Sequence, residues 1–280
     1  MISIKNPAKQ YLSLYHQFIL KMIQKRLLQV IILGLLIFSS ITTFSQESDS
    51  TKSFHFDGNV SVSNNGFSFI PTFNLGKPAA IATLSIGGDR FSFDPQFRFD
   101  LDGLKPWSFI FIWRYKVIKN DRWLVRAGLH LPAIAFRTRE VYRGGVMTEE
   151  LYAQRFFTPE LTTSFKVSSH LSIGTYYIYG RGLEKEGQSK NTHFISLQFG
   201  IREIRLSKEI FLNWNPEIYY MNIDGSDGVY VAQNLTLAHK KLPFSISSML
   251  NKGIKTNINS GDLDWNVSLI YSFKNELKKK

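Results

Sequence analysis

From about residue 52 to residue 273 this chain alternates apolar and polar side chains, one for one. Over residues 90–101, Phe91, Phe93, Pro95, Phe97, Phe99 and Leu101 share one face, and Ser92, Asp94, Gln96, Arg98 and Asp100 share the other. Trp107, Phe109, Phe111, Trp113, Tyr115 and Val117 repeat the pattern against Ser108, Ile110, Ile112, Arg114 and Lys116. A helix scatters such a pattern around its axis, whereas a strand sorts it onto two faces. The same period returns at 171–179, 195–201, 210–220 and 265–273, with no amphipathic helix between. The chain is predicted to be all-β.

Alternation does not say which face meets the solvent, since soluble sandwiches alternate too. Three features point outward. Many segments run to a length that crosses a bilayer at a tilt, longer than common globular strands. Short turns near 87–89, 118–121, 167–170, 206–209 and 240–243 alternate with longer polar links near 101–106, 137–150, 183–191, 222–228 and 252–263. That asymmetry is typical of outer-membrane barrels. Aromatic residues also gather at the segment ends: Trp107 and Trp265 toward the long links, and Trp123, Tyr271 and Phe273 toward the short turns, as girdles would. Burying a dozen aromatic faces in one soluble core is the less economical solution, because so many strands close around a space too wide for side chains to fill.

The amino terminus is a separate matter. Lys25 and Arg26 precede the apolar run 27–44, and Thr43, Phe44 and Ser45 end it with a small residue for cleavage. This reads as a signal peptide over 1–45, too short and interrupted for a spanning helix; Met22 is an alternative start to Met1. The charge divides accordingly. Lys and Arg number 34 against 22 acids, a formal +12. Five of the cations and none of the acids lie in 1–45, leaving 29 against 22, or +7, for an exported chain. No nucleic-acid motif accompanies the charge. There is no cysteine, which removes disulfides, thiolate metal sites and a thiol nucleophile.

The last strand, Trp265, Val267, Leu269, Tyr271 and Phe273 on one face, is similar to the terminal strand of Gram-negative outer-membrane β-barrel proteins. The stretches 64–78 and 105–115 look like those of uncharacterised barrels of this class. The resemblance spans roughly 52–273 and implies export to the outer membrane, a lipid-bilayer environment, and recognition of the terminal strand by the barrel-assembly machinery. The chain departs from many members by the basic tail 274–280 (KNELKKK), expected to be a frayed periplasmic end. The expected architecture is a single antiparallel transmembrane β-barrel. Thirteen strand candidates can be drawn and barrels are usually even-numbered. Twelve strands over 66–273 are therefore expected, with fourteen as the alternative. On this count 46–65 is a periplasmic lead-in or an extra piece plugging the lumen, with Asn64 and Asn65 on the periplasmic side. Pro71, Pro95, Pro159 and Pro216 lie within candidate strands, where they are expected at bulges or bends.

Motifs for catalysis are sparse. The histidines lack the spacing for a shared metal, so neither a metal nor a cofactor is expected. Asp224 and Asp227 read as turn residues. The outer-membrane phospholipase family carries His and Ser two apart; here His170 and Ser172 sit at a short turn in an unlike context, while His193 and Ser196 face opposite sides. A lipid hydrolase is therefore the third reading, and the chain leans away from being an enzyme.

What remains is the lumen. By phase Arg98, Arg114, Lys116 and Arg126 point inward from three successive strands, and Glu160 and Glu217 from elsewhere around the circle. Such a division sets a transverse field that selects solutes by charge, so passage or binding of small polar or anionic solutes is expected. The alternative is a plugged structural, lipid-binding or adhesion barrel, in which these charges pair across an interior filled by Tyr152, Phe156, Tyr176, Phe194, Phe211, Tyr219 and Tyr230. The longest link, 136–150 with Arg137, Arg139 and Arg143, offers a surface for a partner or for lipopolysaccharide phosphates.

Overall fold

The computed structural model describes residues 53–184, 187–261 and 263–278. The expected signal peptide over 1–45, the lead-in as far as Lys52 and the last two lysines lie outside these. Twelve strands form one closed barrel, each antiparallel to its sequence neighbour: β1 (Ser53–Ser63), β2 (Ala79–Gly87), β3 (Phe91–Asp100), β4 (Pro106–Lys119), β5 (Trp123–Arg143), β6 (Val146–Lys166), β7 (Leu171–Gly182), β8 (Asn191–Arg205), β9 (Ile210–Ile223), β10 (Ser226–His239), β11 (Phe244–Thr256) and β12 (Leu263–Lys278). β1 joins the ends by pairing with both β12 and β2. Among the described residues closure leaves the barrel wall, below the projecting β5–β6 hairpin, without an unpaired strand edge, the condition a sheet must meet in hydrocarbon. The fold is the expected twelve-stranded barrel of the outer-membrane type.

Its outer face is apolar along most strands. Val60 and Val62 on β1, Trp113 and Tyr115 on β4, Ile195 and Leu197 on β8, and Val267 and Leu269 on β12 are all exposed. So continuous a belt is unfavourable in water and suited to lipid. Trp123, Tyr271 and Trp265 stand on this outer face at its rims, as expected of a girdle. Trp107 does not. A bulge sets Phe99 opposite Pro106 but Arg98 opposite Ser108, leaving Trp107 as the extra residue. Its indole is buried, with the Arg98 guanidinium 5.3 Å from the ring centre.

Three assignments along the chain are corrected. The strand opening the barrel is 53–63, not 66–75; the count of twelve stands because one strand replaces the other. The segment 64–78 leaves β1 at the long-loop rim and folds inward, carrying a short 3-10 turn at Pro71–Phe73. Asn64 and Asn65 are thus at the long-loop rim, where the Asn64 side chain accepts a hydrogen bond from the Val267 amide at 2.7 Å. Lys274–Lys278 is no loose tail either, since it extends β12 against Ser53–Asp57.

Three of the four prolines expected at bulges or bends keep register in their strands. Pro95, Pro159 and Pro216 each coincide with a gap in pairing on one side, toward β2, β7 and β8, with no shift of register there. Lacking an N–H, proline removes a ladder bond on one side only. The bulge in the middle of the wall instead falls at Leu131 and Pro132, shifting β5 against both β4 and β6.

Short turns of three or four residues fill one rim and include two exposed ion pairs. The Lys119 ammonium hydrogen-bonds Asp89 and holds its carboxyl below the usual carboxylate range. Lys241 does the same for Glu209. At the other rim two expected long links are tight turns on lengthened strands. Gly144 and Gly145 (φ 58° and 86°) join β5 to β6, and Asp224 and Gly225 (φ 50° and 94°) join β9 to β10. Two successive positive φ angles match the twist of a hairpin.

Candidate functional site

The functional interior is built around the inward segment 64–78. Its ends are tied together, with the Gly66 amide on the Lys77 carbonyl at 2.6 Å and the Leu75 amide on the Gly66 carbonyl at 2.9 Å. Between them the aromatics repeat every second residue, as in a strand, but their neighbours are the lumen walls. Phe69 meets Phe194 at 6.1 Å and Tyr219 edge-on at 5.3 Å between ring centres, while Phe73 meets Phe156 at 5.2 Å. Ile70 packs against two buried clusters, one of Ile178, Phe194, Tyr219 and their neighbours on β7 to β10, the other of Ile110, Ile112 and Phe156 on β4 to β6. The segment therefore bridges two sectors of the wall, β4 to β6 and β7 to β10.

Three cavities meet at Phe69. One of about 520 Å³ runs toward the long-loop rim past Tyr219, Tyr230, Asn251 and Asp264. One of about 330 Å³ lies on the other side among Arg126, Gln198, Arg202, Glu217 and Asn234. The third, about 190 Å³, is lined by Phe69, Ile70, Phe73, Ile110, Ile112 and Phe156 together with Gln96, Arg98, Arg114 and His130.

The polar wall is one connected network. The Arg114 Nε donates to Glu160 Oε1 at 2.5 Å and its Nη1 to Asp94 Oδ2 at 2.8 Å. The Glu160 side chain is fully buried; its Oε2 also accepts from the Tyr176 hydroxyl at 2.8 Å and lies 2.8 Å from His130 Nε2. Asp94 Oδ1 accepts from the Ser85 hydroxyl at 2.7 Å, which in turn lies 3.1 Å from His55 Nε2. The chain of contacts crosses β1 to β7. Glu160, expected from a strand elsewhere around the circle, is thus paired directly with one of the arginines. The intervening residue explains how. Arg114 is paired in register with Gly128, and Gly128 with Glu160. A Cβ on Gly128 would lie 2.7 Å from Glu160 Oε1, so only glycine lets the two side chains meet across β5.

The remaining candidates are distributed differently. Arg98 donates to Gln96 Oε1 at 2.7 Å and Arg126 to Thr162 Oγ1 at 3.2 Å, and neither has an acid partner among the described residues. Lys116 donates to the Asp89 carbonyl at 2.8 Å, at the short-turn rim. Glu217 accepts from Gln198 at 3.1 Å. Four of the seven expected interior aromatics, Phe156, Phe194, Tyr219 and Tyr230, are buried. Sequence reasoning missed His130, Asp94 and the plug itself. The first two face inward by the same phase as Arg114.

The other surfaces offer less chemistry. His193 lies 3.0 Å from the Tyr177 hydroxyl on the outer face, whereas the Ser196 side chain is buried inside, so the two do not assemble. Ser172 points its hydroxyl to the Gly200 carbonyl at 3.5 Å. On the β5–β6 hairpin, Arg139 and Arg143 both bind Glu150 at 3.0 Å, and Arg137 donates to the Phe136 carbonyl.

No protein-family model matches the sequence, and no curated protein matches it. Among solved structures the chain is similar to the KdgM porin (10% identity, TM-score 0.47, covering 78% of this chain and 99% of that one). It is similar to the NanC porin at 11% identity and TM-score 0.44, over 80% and 100% of the two chains. It is also similar to an outer membrane channel from Pseudomonas putida F1 at 9% identity and TM-score 0.48, over 82% and 98%.

Proposed function

We propose that this chain resides in the outer membrane and admits small polar solutes to a lumen narrowed by its own segment 64–78. The observation that carries this reading is the packing of Phe69, Ile70 and Phe73 across a wall otherwise rich in charged and polar groups. An apolar constriction inside a polar passage limits solute size and gates by dewetting. Any preference for anions rests on Arg98 and Arg126, whose charges no acid neutralises among the described residues. Arg114 and Glu160 act as wall rather than filter.

Conductance in planar bilayers tests it. Ser63 and Ala79 are cross-strand partners, so the two residues Asn-Gly suffice to replace 64–78. The native barrel is expected to give small steps and the replaced barrel steps several-fold larger. Steps from the replaced barrel alone would leave a plugged structural barrel, the second reading, which the tight aromatic packing of the plug favours, and no steps from either form would reject passage.

A further inference from the structure

The cavity of about 190 Å³ beside the plug combines two properties seldom found together. Most of its lining is apolar, from Phe69, Ile70, Phe73, Ile110, Ile112 and Phe156. Yet it also holds Arg98, whose formal charge is met among the described residues by the neutral amide oxygen of Gln96 and the face of Trp107, with no acid in contact. The Arg98 Nε and the Trp107 Nε1 are buried without an acceptor among the described residues. A guanidinium removed from water is stabilised when paired with an anion. The nearby guanidinium of Arg114 is already held by Asp94 and Glu160, so it does not compete for a single negative charge.

We propose that this cavity binds a small monocarboxylate with a compact apolar body, of the size of benzoate. The carboxylate pairs with Arg98, and the ring lies among Ile110, Ile112, Phe156 and the plug residues Phe69 and Phe73. Size supports the match, because a dry apolar cavity of ~150 Å³ accommodates benzene. The two halves of the site recognise different things: the arginine requires the charge, and the apolar wall requires the body. The inference rests on the solute-admitting reading above and assigns a ligand class to one chamber of that lumen. It also ties the ligand to the plug, since Phe69 and Phe73 form part of the wall.

The test is equilibrium binding to the full-length purified protein in micelles, followed by Trp fluorescence and by thermal unfolding, neither of which needs transport. Benzoate is expected to bind saturably and to raise the melting temperature in a concentration-dependent way. Benzamide, of the same shape without charge, and acetate, the same charge without the body, should each bind at least tenfold more weakly. Arg98→Gln should weaken benzoate at least tenfold, Arg98→Lys should retain part of the affinity, and Arg139→Gln on the exposed hairpin should change nothing. Strand content by circular dichroism confirms that each variant is folded. Equal binding of benzamide, or undiminished binding by folded Arg98→Gln, overturns the proposal. Conductance without benzoate binding rejects the ligand class alone, while benzoate binding without conductance leaves a binding barrel and rejects passage.

Discussion

At the scale of single residues, the inward phase of Arg114 and Glu160 can be read directly from alternation, but their pairing cannot. They are 46 residues apart, and phase says which way a side chain points, not what it meets. The clue present in the sequence was Gly128, a strand glycine with no turn to explain it, at a place where another side chain must approach closely. Its role gives a sign-reversing prediction. At an ordinary strand position Gly→Ala stabilises by roughly 0.5–1 kcal/mol. Here the added methyl would strike Glu160 and part it from Arg114, and breaking a buried pair costs about 3 kcal/mol. Gly128→Ala should therefore lower the unfolding free energy in a denaturant titration. In a Glu160→Ala background, where space has opened, the same change should cost little, giving a coupling of about 1–3 kcal/mol. Equal costs in both backgrounds would remove Gly128 from this account.

At the scale of elements, the apolar/polar period marked nearly every strand, and failed where periodicity has two physical uses. The segment 66–75 alternates as well as 53–63 does, yet it packs its aromatics on the lumen wall and hydrogen-bonds to itself. Trp107 shows the same limit at a smaller scale, because one bulge turns a predicted girdle residue inward. In the β5–β6 hairpin the error was the opposite: a polar stretch resembling a loop is paired strand, residue for residue, from Phe136 with Ala153 to Arg143 with Val146. β4 reaches β5 only as far as Ala135, and β7 reaches β6 only as far as Phe156, so the hairpin projects beyond the barrel as a two-stranded ribbon. Such a ribbon contributes little to the closed sheet. Removing 138–151 and joining Arg137 to Tyr152 through an Asn-Gly turn should cost only the ribbon's own strand residues, leave the closed barrel folded and shift the melting temperature by no more than a few degrees. A trimmed chain that fails to fold would show that the ribbon, and not the barrel wall alone, directs assembly.

At the scale of the whole molecule, the rim of short turns and the outward apolar belt were legible, because a bilayer imposes them together. The even strand number came from the habit of such barrels, and two of the expected long links proved to be tight turns. Which segment closes the ring was not legible, since closure is a contact between the two ends of the barrel that no local pattern records. The stretch 274–278 looked like part of a loose polar tail, and it proves to be the far end of the seam: among the described residues Ser53–Asp57 pairs on that side with Lys274–Lys278. The two candidate first strands therefore make opposite predictions on deletion. Loss of 53–63 exposes one edge each of β2 and β12, and every unpaired backbone group left in hydrocarbon costs several kcal/mol. That chain should yield no folded, detergent-resistant barrel. Replacement of 64–78 by Asn-Gly leaves every strand pairing in place and should fold with full strand content. The comparison is direct in refolding from urea into lipid vesicles, with folding read from electrophoretic mobility without heating. If the chain lacking 53–63 folded and the Asn-Gly chain did not, the ring would be closed by the inward segment and the seam described above would be wrong.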